Sequence, residues 1–240
     1  MKLYVVATPL GNLGDITLRA LETLKSVPLI ACEDTRVSQK LLSHYNIKTK
    51  TVSYHQHSST GKVDWLLEKL EEVGELAIIT DAGTPGISDP GNLLVEATVK
   101  KFGDKCEIIP IPGPSAIISL LSVSGLPTDK FLFLGFLPHK KGKETILKRI
   151  IDSEETVVFY ESTHRIMKSL EKMSEMMIST YIETSAEMPL GANNNRRIVV
   201  GRELTKKFET IYRGNIKQIL EKLKADVTKG EFVVVVEGKK

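Results

Sequence analysis

Two carboxylates and a guanidinium stand together in Glu33-Asp-Thr-Arg36. A carboxylate here could take a proton from a hydroxyl, and the arginine could hold a carboxylate or a phosphate. The plainer alternative is that Asp34 or Thr35 caps the next helix while Arg36 pairs with Glu33 at the surface. Residues 81–91, DAGTPGISDPG, hold three glycines, two prolines and two aspartates. A simple strand-to-helix turn needs only a few residues, so a loop of this composition points to a ligand. Its glycines let backbone N–H and C=O groups approach that ligand closely, and Ser88 or Asp89 can cap the helix that follows. Residues 8–15, TPLGNLGD, and 112–116, PGPSA, are two further backbone-exposing loops, with Asp15 placed to cap a helix. His55 and His57 alternate as on a strand and so share a side, as a substrate contact or a metal pair; no third ligand lies near for a metal. No G-x-G-x-x-G, GxxxxGK[ST] or GxSxG pattern occurs, which removes support for a dinucleotide fingerprint, a phosphate-cradling P-loop and a nucleophile elbow.

The elements that must position these residues are legible from periodicity. Apolar runs at 3–7, 29–32, 76–79 and 106–111 alternate with helical spacing at Ile16, Ala20, Leu21 and Leu24, at Trp65, Leu66, Leu70 and Val73, and at Leu93, Leu94, Ala97 and Phe102. Strands this apolar, alternating with helices, predict a mostly parallel sheet covered on both faces. Each chemistry-bearing loop follows one of these strands, and ligands in open α/β sheets bind beyond the carboxyl ends of strands. The character changes after Pro110, Pro112 and Pro114. Later strands are expected at 131–136, 156–160, 198–201, 210–213 and 232–237, the last three able to pair antiparallel. The fold class expected is therefore α/β with two α/β domains, a first domain at 1–112 with a mostly parallel sheet and a second at 113–240 with a mixed one.

Composition bounds the answer without naming it. The 240 residues carry 33 Lys+Arg and 30 Asp+Glu, a formal +3, with 41% hydrophobic and 26% charged residues, which argues against disorder. Residues 1–120 hold 12 basic and 14 acidic side chains, and residues 121–240 hold 21 and 16, so positive charge gathers in the second half. No apolar run exceeds five residues, which excludes a transmembrane helix, and Pro9 and Gly11 interrupt the start too soon for a signal-peptide core. Cys32 and Cys106 are expected as buried free thiols in a reducing cytosol, and no spacing suggests a metal site.

The motifs TPLGNLGDITLRAL, CEDTR, DAGTPGISDPG, PIPGPSA, SGLPTDKF, GFLP, FYESTHRI, RELTKKFE and KGEFVVVVEG follow one another in this order. Together they resemble the bacterial small-subunit ribosomal RNA cytidine 2′-O-methyltransferase family, a branch of the tetrapyrrole methylases, along nearly the whole chain. The resemblance implies two α/β domains with S-adenosylmethionine in the cleft between them, and a homodimer. It implies cofactor contacts from Gly83, Thr84, Ile87 and Ser88, from Ser115 and Ala116, and from Phe159 and Tyr160. It places the loop at 8–15 and the EDTR segment on the acceptor side. The chain departs from the family pattern where His55-Gln-His57-Ser-Ser59 replaces a His-acid-His-Asn-Glu run, and where Cys32 replaces alanine. The stretch 173–195 is longer than the pattern and is expected to form an extended loop or hairpin.

Methyl transfer to a ribose hydroxyl requires alignment, exclusion of water and removal of a proton. Glu33, Asp34 and His55 are the catalytic candidates, with Asp15 behind them and Arg36 as an orienting or phosphate-binding group. RNA binding requires basic surface. Two clusters qualify: His139, Lys140, Lys141 and Lys143 with Lys148 and Arg149, and Arg196, Arg197, Arg202, Lys206, Lys207 with Arg213. For Lys140–Lys143 alone a solvated face is the simpler reading, whereas Arg202 and Lys206 are expected at the cleft or the RNA. The partner implied is the small ribosomal subunit or its RNA, for a cytoplasmic enzyme. A tetrapyrrole or other small-molecule methyltransferase is the competitor within the fold, disfavoured by the basic second half. A non-catalytic ribosome-binding protein is the competitor from another class.

Overall fold

The structure is a computed structural model that describes residues 1–54, 60–89, 91–184, 196–226 and 229–239. The chain divides into two compact units, Met1–Ser115 and Ala116–Lys240, three residues beyond the break read from composition.

In the first unit β1 (Lys2–Val6), β2 (Leu29–Cys32), β3 (Lys50–Ser53), β4 (Glu75–Ile79) and β5 (Glu107–Ile111) form one sheet in the order β3-β2-β4-β1-β5. Every strand pair in it is parallel, as the apolar runs predicted. Because successive side chains on a strand face opposite ways, the sheet feeds two cores. Leu3, Leu29, Ala31, Leu76 and Ile78 pack with α3 (Thr60–Val73) and α4 (Gly91–Phe102) through Leu66, Leu70, Leu94 and Phe102. Val6, Ile30, Cys32, Ala77 and Ile79 pack instead with α1 (Leu18–Ser26) and α2 (Thr35–His44) through Ala20, Leu24 and Leu42. Both cysteines are buried and free.

The second unit contains α5 (Ala116–Ser124), β6 (Phe131–Phe136), α6 (Lys143–Asp152), β7 (Thr156–Ser162), α7 (Ile166–Thr184), β8 (Ile198–Arg202), β9 (Thr210–Gly214), α8 (Ile216–Ala225) and β10 (Glu231–Val236). Its sheet order is β6-β7-β10-β8-β9, with β6 parallel to β7 and the other pairs antiparallel, hence mixed. Alternation again separates two faces. Val157, Phe159, Phe232, Val234 and Val236 meet α6, α7 and α8, whereas Val158, Val233 and Val235 meet α5 at Ile117, Leu120 and Leu121. The run of valines in β10 is buried on both sides for this reason.

Two expectations are corrected here. Residues 173–184 belong to α7, whose Met173 and Met177 sit in the core at helical spacing, so an extended loop there is excluded; residues 185–195 lie outside the described residues. Asp15 does not cap α1. It ends a 3-10 turn, Leu13–Asp15, and Thr17 caps α1 by accepting the Ala20 N–H at 3.1 Å. Among the described residues no helix is long and apolar enough to cross a membrane.

Candidate functional site

Sheet order explains how loops far apart in sequence share one edge. The connection leaving β1 runs towards β2 on one side, and the connection leaving β4 runs towards β5 on the other. Adjacent strands whose connections depart in opposite directions open a crevice at their carboxyl ends. That crevice lies between β1 and β4, with the ends of β2 and β5 flanking it, all within about 14 Å at ~4.8 Å per strand.

Main-chain and hydroxyl bonds fix the crevice. Thr8 and Gly83 exchange N–H···O bonds of 2.9 and 3.0 Å, an isolated antiparallel bridge between the two loops. The Thr8 hydroxyl donates to the Thr80 carbonyl at 3.0 Å, and the Thr84 hydroxyl donates to the Pro114 carbonyl at 3.3 Å. Gly83 adopts φ +85°, which a side chain would strain. Asp89 closes the loop by accepting the N–H groups of Gly86 at 2.8 Å and Gly91 at 2.7 Å. A Cβ on Gly91 would lie 2.7 Å from the Gly86 nitrogen, so only glycine fits there. Ile87 and Ser88 are left exposed, and Ser88 is held at φ +65°.

The acidic groups form a linked set at the ends of β2 and β4. Glu33 Oε2 accepts from the Thr80 hydroxyl at 2.7 Å and from the Asp81 N–H at 3.4 Å. Asp81 Oδ1 accepts the Asp34 N–H at 3.0 Å. Asp34 is the N-cap of α2 and pairs with Arg36, whose NH2 lies 2.6 Å from Oδ2. Arg36 therefore pairs with Asp34 rather than with Glu33. Side-chain and backbone hydrogen bonds from Arg36 lower the Asp34 pKa from 3.8 to about 2, which makes Asp34 a poor proton acceptor. Asp81 moves the other way: although the residue is exposed, desolvation beside the loop raises its pKa, and the neighbouring charges of Glu33 and Asp34 add to the rise. The sequence reading named the loop but not Asp81 as a titrating group. Its signal was position, since Asp81 follows β4 closely as Glu33 follows β2. His55 lies outside the described residues, and Asp15 is half-buried, its Oδ2 without a hydrogen-bond partner among the described residues.

Ser115 and Ala116 are half-exposed around the start of α5. Phe159 and Tyr160 point to opposite faces of the second sheet. Phe159 is 0% exposed within the α6–α7–α8 core, so its ring cannot meet a ligand. Tyr160 is half-buried, its ring 5.2 Å from those of Phe133 and Phe136, and burial pushes its phenol up to about 12.

The second basic cluster is largely engaged by partners within its own unit. Arg196 donates to the carbonyls of Ile150, Ile151, Ser153 and Glu237. Arg197 pairs with the buried Glu237 at 2.7 Å and donates to Gly125 O. Arg202, 9% exposed, donates to the Thr210 hydroxyl and lies 3.7 Å from Asp226. Lys206 bridges Glu203 at 3.0 Å and Glu231 at 2.7 Å, holding a turn in which Glu203 and Thr205 take left-handed φ of 51° and 67°. Each of these four is engaged by the fold: Arg196 and Arg202 within it, and Lys206 and the exposed Arg197 at its surface through their carboxylate partners. Lys207 stays exposed, 5.5 Å over the Phe208 ring.

The family described as Tetrapyrrole (Corrin/Porphyrin) Methylases matches residues 2–220. The chain belongs to this family. Tetrapyrrole methylases of known structure share its architecture: a cobalt precorrin-4 methyltransferase aligns with a TM-score of 0.65 over 98% of this chain and 94% of its own, at 15% identity. A uroporphyrin-III-C-methyltransferase from Thermus thermophilus aligns at 0.60 over 98% and 93%, at 16% identity. Within the family, curated relatives named Ribosomal RNA small subunit methyltransferase I are much nearer in sequence. The one from Escherichia coli O157:H7 is 43% identical over 100% of this chain and 78% of its own length, and the one from Haemophilus influenzae is 46% identical over 99% and 78%. Among the described residues no group of three or more His, Cys, Asp or Glu is gathered as for a metal ion.

Proposed function

We propose that this tetrapyrrole methylase uses S-adenosylmethionine to methylate the 2′-hydroxyl of a cytidine in small-subunit ribosomal RNA, on the assembled subunit. The observation that carries the reading is near-full-length similarity to relatives named as ribosomal RNA small subunit methyltransferases. The far lower identity to the tetrapyrrole enzymes of known structure supports RNA over a tetrapyrrole as acceptor.

The crevice fits the cofactor in its chemistry. S-adenosylmethionine presents an apolar ring system edged with polar groups, a diol and a charged amino acid. The loop at 81–91 offers exposed apolar Ile87 beside Ser88, on a backbone held rigid by the bridge between Gly83 and Thr8. The resemblance also assigns Ser115, Ala116, Phe159 and Tyr160 to the cofactor. When bound, it supplies an activated methyl group to the acceptor oxygen. The chain must align that oxygen, exclude water and receive its proton. Glu33 accepts hydrogen bonds from Thr80 and Asp81 and is suited to orienting the ribose. Asp81, with its raised proton affinity, is better suited than Asp34 to take the proton. Arg36 neutralises Asp34 and, being exposed, can still meet a phosphate. The enzyme is taken to act in the cytoplasm as a homodimer, for which exposed Ile118, Val123 and Phe136 offer apolar surface.

Incubation with labelled S-adenosylmethionine and either unmodified small subunits or free ribosomal RNA, followed by mapping of the labelled nucleotide, tests this. Label on a cytidine ribose in subunits is the expected result. Label on a base, or none in either substrate with cofactor binding intact, refutes the assignment.

A further inference from the structure

A cavity of about 420 Å³ opens in the second unit beside the start of α6, lined by His139, Lys140, Lys143, Glu144 and Lys172 among others. Its basic character has a structural origin. Glu161 is fully buried and paired with Arg165 at 2.8 Å, so its charge is already compensated. Ser169, also buried, donates to Glu161 at 2.6 Å and accepts from Lys143 Nζ at 2.9 Å. One carboxylate thus stands against two cations, and Lys143 is fixed at the wall of the cavity with no ion pair among the described residues. Glu144 lines the cavity too, but it lies 3.2 Å from Lys172, which also lies 3.9 Å from Glu175. Lys140 has no ion pair among the described residues and is exposed. Gly142, the N-cap of α6, lines the same cavity, and among the described residues no side chain caps that helix.

The geometry points to this cavity as a phosphate site for the RNA backbone, gripped by Lys140 and Lys143 with His139 at the rim, while Lys172 offsets Glu144. The inference rests on RNA being the acceptor and moves the electrostatic contact from Arg196–Lys206 to the α6 entrance. A concave wall with a pre-positioned ammonium suits a phosphodiester, because the lysine loses little freedom on binding.

The test compares full-length wild type with a Lys140→Gln/Lys143→Gln variant for binding to unmodified small-subunit ribosomal RNA transcribed in vitro, across a salt series. Each lost phosphate contact should weaken binding about fivefold at ~0.1 M salt and flatten the log–log salt slope by about 0.7. S-adenosylmethionine affinity by calorimetry should stay the same. Lys140→Gln alone, which leaves the Glu161 network and the Lys172 pairs intact, gives the single-contact effect should the first variant fold poorly. Lys25→Gln/Lys40→Gln, an equal charge loss in the first unit, should have less effect on affinity. Unchanged RNA affinity and slope in the cavity variants would overturn the site. Calorimetric loss of inorganic phosphate binding with RNA affinity unchanged would overturn the RNA assignment in favour of a free-phosphate site. Wild type that neither binds nor methylates RNA would instead overturn the proposed function itself.

Discussion

Replacing Arg196 with lysine keeps the positive charge and removes the planar fork that four carbonyl oxygens share. Two of those carbonyls, Ile150 and Ile151, belong to the last turn of α6, and Ser153 is its C-cap. Carbonyls at a helix C-terminus lack partners within the helix, and a cation there also meets the negative end of the dipole. Burial draws the Arg196 pKa down, with Glu237 and Asp152 opposing, as expected for a guanidinium largely withdrawn from water. A hydrogen bond from a charged donor nets about 1.5–3 kcal/mol. A lysine ammonium reaching one or two of these carbonyls leaves at least two to be satisfied otherwise, so Arg196→Lys should cost about 3 kcal/mol. At a urea m-value of about 2 kcal/mol per M, the unfolding midpoint of the second unit should fall by about 1.5 M. RNA affinity, measured well below that midpoint, should change less than about twofold. An unmoved midpoint with weakened RNA binding would refute this reasoning and return Arg196 to the RNA surface.

Glu161→Gln should destabilise the second unit by about 3–5 kcal/mol, because Arg165 would lose its buried counter-charge; urea unfolding measures it. In an NMR titration Asp34 should protonate near pH 2, and in Arg36→Ala it should move back towards 3.8. Because the folded-state pKa is depressed, the stabilisation from this pair is complete above the unfolded value and fades as pH falls from about 4 to about 2. Gly91→Ala should weaken S-adenosylmethionine binding at least tenfold by calorimetry, since the new Cβ would collide with the Gly86 nitrogen and Asp89 that close the loop. Asp81→Asn should lower single-turnover methylation more than Asp34→Asn does, with cofactor affinity retained; equal rates in the two variants would remove Asp81 as proton acceptor.

Most of the strands were legible because apolar runs bounded by glycine and proline leave few alternatives. The run at 131–136 matches β6 and that at 29–32 matches β2. That the last three strands could pair antiparallel was also legible, and β8 pairs so with β9 and β10, although α8 separates β9 from β10 in the chain. The continuation of α7 through residues 173–184 was obscured because its polar positions look loop-like until Met173 and Met177 are seen in one core. At the site, the sequence picked out the loops but misassigned partners. Arg36 and Asp34 are two residues apart and Glu33 three from Arg36, so spacing alone could not choose between them.

The sequence by itself determined the element types, the glycine-rich loops and the uneven charge, because these depend on residue type and local period. Tertiary structure decided which charges are available. Counting makes Arg196, Arg197, Arg202 and Lys206 look like a basic patch. Folding gives each of them carbonyls or carboxylates as partners and leaves Lys140 and Lys143 with no ion pair among the described residues. A cation's reach towards a ligand depends on which acceptors are already within about 3 Å of it, and most of those here come from residues tens of positions away in the chain.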